Sequence, residues 1–252
     1  MVVTIYDDRI KLDGDLAIPR NYDGTGRIPV ALIIHGFTGN KEEEHLVAVS
    51  DMLNDLGIAT LRVDMYGHGR SDGRFFNHTL NKWIQNGLAA IDYLKEDGRF
   101  SEIYLCGHSQ GGLMVMLLAA MERDKVKLLI PLSPATMIPK GCREGDMLGT
   151  RFDPVNVPDE LHSPDGWVLG GNYVRVAQTI YVEEAVKKYT GPVLVVHGDA
   201  DMTVDIEEAK KDCSGYANCK FVTIKGDSHC YDYHLDEVVA AVKEYVSDFI
   251  KE

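Results

Sequence analysis

The stretch Gly107-His108-Ser109-Gln110-Gly111 lies between a short apolar run, Ile103–Cys106, and a helical pattern over Gly112–Glu122. A strand, a G-x-S-x-G turn and a helix in this order predict a nucleophilic serine at the carboxyl end of a sheet. The glycines two residues on either side of Ser109 lack a Cβ, so the strand and the helix can approach closely. The N–H of Gln110 falls in the first helical turn, where unsatisfied donors favour an anion. This stretch therefore predicts a nucleophile, Ser109, and one oxyanion donor, Gln110.

Similar apolar runs recur along the chain and alternate with amphipathic helical patterns. Near-continuous apolar runs are typical of strands that are buried on both faces of a parallel sheet. The further predicted strands are Val30–Ile34, Ala59–Val63, Leu128–Leu132, Val193–Val196 and Phe221–Ile224. The further predicted helices are Glu43–Leu56, Thr79–Leu94, Ile206–Lys211 and Leu235–Ile250. The alternation predicts one α/β domain over residues 1–252, with a doubly wound, mostly parallel sheet and an antiparallel hairpin in the first 20 residues.

One region interrupts this alternation. Between Pro134 and Tyr173 the chain has five of its nine prolines and six glycines, and the periodicity fades. A long stretch without regular structure inside a compact domain is usually functional. We expect an inserted lid over about residues 134–178, and the alternative is a pair of short helices without a special role.

The strand Val30–Ile34 is followed by His35-Gly36-Phe37. In an architecture with a nucleophilic serine turn, the loop after this strand supplies the second oxyanion donor. We expect the Phe37 N–H to be that donor, and two such donors each stabilise an alkoxide by roughly 3 kcal/mol. The alternative is an ordinary turn whose phenylalanine packs in the core, and both can hold because the backbone performs the chemistry.

A serine nucleophile requires a histidine base. Four histidines follow the serine in the chain: His162, His197, His229 and His234. His229 is favoured because it lies in a loop between a predicted strand and the last helix, where catalytic groups gather. His197 ends its own strand and is more typical of a structural histidine. His162 lies in the insertion, and His234, at the start of the last helix, is the main alternative.

The histidine base requires a carboxylate, and Asp199 and Asp201 both follow the strand Val193–Val196. Asp201 lies further into the loop, whereas Asp199 could instead stabilise the local turn. The order serine, aspartate, histidine along the chain is that of α/β-hydrolases. A metal site formed by His197, Asp199 and Asp201 is a weaker alternative, because no second histidine cluster supports it, and we expect neither a metal nor a cofactor.

The chain carries 26 basic and 39 acidic residues, a net charge of −13. Such an acidic surface repels nucleic-acid phosphates and anionic lipids, so we expect neither nucleic acid nor membrane as a partner. No apolar run approaches the length of about 18 residues that a membrane span needs. The first residues show no basic or apolar segment of a signal peptide, which favours a cytoplasmic protein.

Five cysteines without motif spacing favour free thiols in a reducing compartment. A disulfide or half of a metal site at Cys213 and Cys219 is the alternative.

Two further stretches are given structural roles. The glycine-rich loop Asp64–Gly73 lacks the lysine of a phosphate-binding loop, and the charged run Lys41–Glu44 is typical of a solvated helix start.

Several of these motifs together resemble the bacterial cinnamoyl (feruloyl) esterases, which are α/β-hydrolase serine esterases. The resemblance spans essentially the whole chain. Its motifs are His35-Gly-Phe-Thr-Gly39, Asp64-Met-Tyr-Gly-His-Gly69, Gly107-His-Ser-Gln-Gly-Gly112, Gly171-Asn-Tyr-Val-Arg-Val-Ala-Gln178, His197-Gly-Asp-Ala-Asp201 and Asp227-Ser-His-Cys-Tyr231. The first and third are shared with monoacylglycerol lipases and many other hydrolases, whereas the phrase beginning at Gly171 is more specific.

The resemblance implies a hydroxycinnamate ester as substrate and a catalytic triad of Ser109, Asp201 and His229. It implies an oxyanion hole at Phe37 and Gln110, and a lid that holds the aromatic ring of the acyl group. Within the lid, the resemblance implies that Tyr173 contacts the phenolic end of the substrate. Gly141 and Leu148 stand at the positions where some members have an aspartate and a glutamine. The family also suggests a homodimer. The alternatives are a short-chain esterase or monoacylglycerol lipase, and a hydrolase-fold binding protein without turnover.

Overall fold

A mixed sheet of eight strands runs through the centre of the protein, in a computed structural model that describes residues 1–251. Its strands are β1 (Val2–Asp7), β2 (Ile10–Ala17), β3 (Ile28–Ile34), β4 (Ala59–Val63), β5 (Phe100–His108), β6 (Val126–Leu132), β11 (Val193–Gly198) and β12 (Cys219–Ile224). Four short strands lie outside it: β7 (Asp146–Met147), β8 (Thr150–Arg151), β9 (Glu160–His162) and β10 (Val168–Gly170). The strand order is β1-β2-β4-β3-β5-β6-β11-β12. The six strands from β4 to β12 pair in parallel, and the expected antiparallel hairpin, β1–β2, forms one edge.

Helices cover both faces of the sheet. They are α1 (Glu44–Asp55), α2 (Leu80–Glu96), α3 (Gln110–Met121), α4 (Ile138–Glu144), α5 (Gly171–Ala177), α6 (Val182–Lys188), α7 (Ile206–Gly215) and α8 (Leu235–Phe249), with a 3₁₀ turn at Phe75–Asn77. Successive residues of β3 face opposite layers, since Ala31 and Ile33 pack with α1 and α8 while Leu32 and Ile34 pack with α2 and α3. Both faces are thus buried, which explains the near-continuous apolar strands. Among residues 1–251, no helix combines the length and apolarity needed to cross a membrane.

The predicted α/β fold with a doubly wound, mostly parallel sheet is confirmed. Each predicted strand and helix is present, with ends shifted by a few residues, and α3 begins at Gln110 rather than Gly112. The sequence missed α6, a short helix with four charged residues among its seven. Its brevity and polarity leave little apolar periodicity to detect.

The inserted segment, residues 134–178, was expected to lack regular structure, but it contains helices and strands. It contains α4, the hairpin β7–β8, the hairpin β9–β10 and α5. The hairpin turns use Gly149 and Gly166, whose φ angles of +82° and +90° favour glycine. Strands of two or three residues are too short to show an alternating pattern, so the sequence could not reveal them.

Lys41 is buried, and its prediction as part of a solvated helix start is wrong. Its ammonium lies 2.8 Å from Asp13, 3.5 Å from Asp15 and 3.6 Å from Asp64, so it joins β2, the loop after β3 and the end of β4. Its backbone N–H also donates to Asp64 Oδ1 at 2.8 Å. Burial lowers the pKa of Lys41, but hydrogen bonding to Asp13 and the charge of Asp64 more than offset this and hold the pKa above its ordinary value.

Cys213 and Cys219 form a disulfide between the end of α7 and the start of β12, with a Cα–Cα distance of 5.6 Å. The expectation of five free thiols is therefore wrong, and the alternative pairing is the one present. Only six positions separate the two residues, and the turn between α7 and β12 brings Cys219 back beside Cys213. The remaining cysteines are free: Cys106 and Cys142 are buried and Cys230 is exposed.

We expect Lys41→Met to lower the free energy of unfolding by about 3–5 kcal/mol, because it removes the cation that pairs with Asp13 and with the buried Asp64 carboxylate. Urea denaturation measures the change. Lys187→Met, which removes an exposed ion pair with Glu184, is the matched control, with an expected change below about 1 kcal/mol. A loss below 1 kcal/mol for Lys41→Met would contradict a structural role for the buried ammonium.

Candidate active site

Ser109 occupies the turn between β5 and α3 with a φ of +55° and a ψ of −119°. A non-glycine residue at such a φ carries backbone strain of about 1–3 kcal/mol. The strain is maintained by close packing, since a Cβ at Gly107 would lie 2.3 Å from the Gly111 carbonyl oxygen. A Cβ at Gly111 would lie 2.1 Å from the carbonyl oxygen of Ile34. Both glycines are therefore required, as the sequence indicated.

The Ser109 hydroxyl makes no capping hydrogen bond to α3, although Ser109 is the residue that precedes the helix. Its backbone is held instead: the N–H donates to the Leu132 carbonyl at 2.9 Å, and the carbonyl accepts from Leu113 and Ala135. The side chain is thus left available for chemistry while the main chain is anchored on three sides.

Asp201 and His229 are brought together by loops at the carboxyl ends of β11 and β12. His229 Nδ1 lies 2.6 Å from Asp201 Oδ2, and the other carboxylate oxygen accepts from the N–H groups of Thr203 and Val204, both at 2.8 Å. His197 Nε2 lies 3.1 Å from Asp201 Oδ2. Burial raises the pKa of Asp201, but the hydrogen bonds from His197 and His229 outweigh it and hold the pKa below its ordinary range. The carboxylate is therefore ionised where it contacts His229.

The alternatives to these two residues lie elsewhere. Asp199 accepts a hydrogen bond from the Gly226 N–H and so stabilises the loop after β12. His234 is half-buried at the start of α8, where its Nδ1 lies 3.7 Å from Glu237, and His162 lies 3.3 Å from Glu160 in the β9–β10 hairpin. His197 is structural, as expected, although it also contacts the Asp201 carboxylate.

Ser109 and His229 line the same cavity, which has a volume of about 910 Å³. His108 lies beside them: its Nε2 donates to the His229 carbonyl at 2.8 Å, and the two imidazole rings are 4.7 Å apart. This bond joins the end of β5 to the loop that carries His229. The inserted segment forms the opposite wall, with Met137, Ile138, Gly141, Asp146, Leu148, Gly149, Asp165, Gly166 and Trp167.

The loop after β3 approaches the serine closely, since a Cβ at Gly36 would lie 3.2 Å from Ser109 Cβ. His35 holds this loop, because its Nδ1 donates to the Gly36 carbonyl at 2.8 Å and its Nε2 accepts from the Met65 N–H at 3.0 Å. Burial lowers the pKa of His35 to about 3, which leaves this imidazole neutral. Phe37 follows, and its carbonyl accepts from His68 Nε2 at 2.5 Å. The loop is thus fixed beside Ser109.

Tyr173 does not line the cavity, contrary to its expected contact with the phenolic end of a substrate. Its side chain is fully buried, and its hydroxyl donates to Gln110 Oε1 at 2.5 Å. Trp167, the other aromatic residue near the end of the insertion, does line the cavity. Residues six positions apart in the sequence thus lie on different sides of the wall, which only the path of β10 and α5 decides.

Glu43 is a cavity residue that the sequence did not reveal, because it lies in a charged run typical of solvent. Burial raises the pKa of Glu43 to about 7, and a hydrogen bond from the Gly36 backbone offsets only part of this shift. Met202, Thr203 and Cys230 also line the cavity from the loops that carry the aspartate and the histidine. Their position next to Asp201 or His229 was the only signal that could have indicated them.

Within residues 1–251, one group of side chains is arranged so that it could hold a cation: Glu43, His45 and His108, whose ligand atoms lie within 4.8 Å of one another. His108 already donates through Nε2, so its Nδ1 is the atom it would offer. Burial lowers the pKa of both histidines, which leaves their imidazoles neutral.

Residues 28–152 match the family model Hydrolase_4, described as serine aminopeptidase, S33. The structure is similar over 99% of the chain to that of Est1E from Butyrivibrio proteoclasticus with ferulic acid bound, of which it covers 100%. The identity is 56% and the TM-score is 0.97. A second structure of Est1E matches at 54% identity with a TM-score of 0.93, over 100% of this chain and 99% of that one.

Among curated relatives, the rat mitochondrial palmitoyl-protein thioesterase ABHD10 is 26% identical over 71% of this chain. The match spans 61% of that protein's length, less than two thirds of it. Human monoglyceride lipase is 25% identical over 79% of this chain and 74% of its own length.

We expect Asp201→Asn to slow labelling of Ser109 by a fluorophosphonate by about 10³–10⁴-fold, because the imidazole loses the carboxylate that orients it. Active-site labelling followed by mass spectrometry measures the rate without any assumed substrate. Asp199→Asn is the matched control, since an asparagine oxygen can still accept from Gly226, and it should label within about threefold of the wild-type rate. Equal slowing in both variants would mean that the carboxylate has been assigned incorrectly.

Glu43 should make the protein less stable as pH rises. Its folded pKa is about 7 against an ordinary value of 4.5, so its contribution to stability is largest below pH 4.5 and is lost as pH rises to 7. Relative to wild type, Glu43→Gln should therefore gain about 3 kcal/mol in free energy of unfolding between pH 4.5 and 7.5. Urea denaturation at the two pH values tests this, with the exposed neighbour Glu44→Gln as control. If the free energies of unfolding of Glu43→Gln and wild type differed by the same amount at both pH values, the raised pKa of Glu43 would be refuted.

Proposed function

Because the chain belongs to the α/β-hydrolase esterases, the family of Est1E, we propose that it hydrolyses esters of hydroxycinnamic acids. The observation that carries this proposal is the likeness to ferulate-bound Est1E over the whole chain, insertion included. In this proposal Ser109 is the nucleophile, His229 the base and Asp201 the carboxylate that orients it. The pairing of His229 with Asp201 and the position of Ser109 in the same cavity support these roles.

In the first half of the reaction, the Ser109 oxygen attacks the ester carbonyl while His229 Nε2 takes the hydroxyl proton. Asp201 accepts from Nδ1–H, which sets the tautomer and stabilises the imidazolium. The carbonyl oxygen of the tetrahedral intermediate becomes an anion that accepts from the N–H groups of Phe37 and Gln110. His229 then donates its proton to the alcohol oxygen, the C–O bond breaks, and the acyl group stays on Ser109.

In the second half, His229 takes a proton from water as the water oxygen attacks the acyl-enzyme. The second tetrahedral anion uses the same two N–H groups. The imidazolium returns the proton to the Ser109 oxygen as the carboxylic acid leaves. The histidine thus acts as base and acid in each half, and no other proton carrier is needed.

The oxyanion hole has a favourable electrostatic setting. Gln110 begins α3, a helix of 12 residues, so its N–H lies at the positive end of the helix dipole. Gln110 is fully buried, where solvent does not screen that field. Loss of one such donor costs about 3 kcal/mol of transition-state stabilisation.

The inserted segment, as a lid, would bind the planar acyl group. Met137, Ile138, Leu148 and Trp167 give the cavity an apolar wall opposite Ser109. Gly141 and Leu148, where the resemblance places an aspartate and a glutamine in some family members, line this wall and have no polar side chains. Asp146 and Asp165 are the carboxylates on the same wall, and they are the groups available to a phenolic hydroxyl.

We expect Ser109→Ala to reduce hydrolysis of ethyl ferulate by more than about a thousandfold, with the melting temperature nearly unchanged. Wild-type kcat/KM should be higher for ethyl ferulate than for a monoacylglycerol. It should also be higher than for p-nitrophenyl acetate, once the value for that ester is corrected for its better leaving group. Release of ferulate measured by chromatography tests both statements, with the exposed Ser214→Ala as control.

Hydrolysis of the short-chain ester and the monoacylglycerol without hydrolysis of ethyl ferulate would favour a lipase, to which the likeness to human monoglyceride lipase also points. Absence of all turnover, with ferulate still bound, would favour a binding protein. Either result would overturn the proposed substrate class.

A further inference from the structure

The inserted segment contacts the turn at Ser109 and Gln110 from both of its ends, once through the main chain and once through a side chain. Ala135, at its start, donates to the Ser109 carbonyl at 2.9 Å. That carbonyl belongs to the same peptide unit as the Gln110 N–H, so the bond helps to set the direction of the N–H. Tyr173, near the end of the segment, donates to the Gln110 side chain at 2.5 Å. The segment thus reaches one proposed oxyanion donor from two directions.

The hydrogen bond from Tyr173 has no competitor among the described residues around the Gln110 side chain. Gln110 Nε2 is buried without a partner, so the only hydrogen bond of the amide is the one its oxygen accepts from Tyr173. Both side chains are fully buried. Burial also raises the pKa of Tyr173, which keeps the hydroxyl protonated and able to donate. Removing this donor would leave a buried amide oxygen unsatisfied and the Gln110 side chain without an anchor.

Tyr173 also contacts the other proposed oxyanion donor. Its ring lies 5.8 Å from the Phe37 ring in an edge-on arrangement and 5.0 Å from the imidazole of His78. Trp167, from the same segment, contacts Phe37 at 5.3 Å. One tyrosine therefore touches the side chains of both residues whose backbone N–H groups would face the substrate oxygen.

We propose that Tyr173 is a positioning residue that couples the inserted segment to the oxyanion hole through Gln110 and Phe37. The proposal rests on the ester hydrolysis proposed above and adds to it that the lid sets the catalytic rate as well as the acyl specificity. Because Tyr173 lies behind the cavity wall, it acts on the transition state without touching the substrate.

Tyr173→Phe tests the proposal, since it removes the hydroxyl and keeps the ring. We expect kcat to fall about 5- to 30-fold, with KM and the inhibition constant of ferulate unchanged, because only the anionic transition state needs the donors. Affinity for a trifluoromethyl ketone inhibitor, whose adduct carries an oxyanion, should fall by the same factor. Tyr189→Phe, which removes another buried hydroxyl, should leave kcat unchanged and reports on general loss of packing.

The choice of esters separates positioning from direct contact with the phenol. A positioning role predicts equal losses on ethyl ferulate, ethyl cinnamate and p-nitrophenyl acetate. A loss confined to ethyl ferulate, or a rise in KM with kcat unchanged, would overturn the proposal in favour of phenol recognition.

A double-mutant cycle tests the path through Gln110. Gln110→Met removes the side-chain acceptor and keeps the backbone N–H, so Tyr173→Phe should cause no further loss of kcat in that background. Independent, multiplicative losses would overturn the path. If the protein hydrolyses none of the three esters, the fluorophosphonate labelling rate of Ser109 replaces kcat as the readout. The failure of the substrate assignment is thereby distinguished from the failure of the coupling.

Discussion

The site depends on one constraint, the close approach of β5, α3 and β3 around the strained turn at Ser109. The turn can exist because Gly107 and Gly111 lack side chains. A Cβ atom at either position would lie only about 2 Å from a backbone oxygen. Its strain is balanced by backbone hydrogen bonds and by the burial of α3 on all sides. The same geometry places Ser109 at the cavity, starts the helix at Gln110 and brings the loop after β3 next to Ser109.

Parallel strands deliver the other functional groups to the same edge of the sheet. Asp201 follows β11, His229 follows β12, and the loop with Phe37 follows β3, so these residues reach the same edge of the sheet although up to 192 positions separate Phe37 from His229. Each group is held by an additional contact. His197 and two backbone N–H groups hold Asp201, and His108 holds the His229 loop. Such preorganisation is the property that electrostatic catalysis requires.

How much could be predicted depended on whether the signal was local. Strands buried on both faces and a G-x-S-x-G turn leave clear local patterns, so the sheet and the position of Ser109 followed from them. Lys41 was misjudged because its four carboxylate neighbours come mostly from other strands. The Cys213–Cys219 disulfide was assigned only second place, because cysteine spacing alone does not show how a helix and a strand are oriented. The short hairpins of the insertion were missed because two or three residues show no periodicity.

The sequence by itself determined the α/β fold and the tight turn at Ser109, because both depend on apolar runs and glycines that act on their immediate neighbours. It also limited the base and the carboxylate to a few candidates in two loops. Only the tertiary structure showed that His229 pairs with Asp201 rather than Asp199, and that Tyr173 is buried against Gln110. Those choices depend on where side chains from distant segments meet, and hydrogen bonds and burial between such segments form only when the sheet and the insertion pack together.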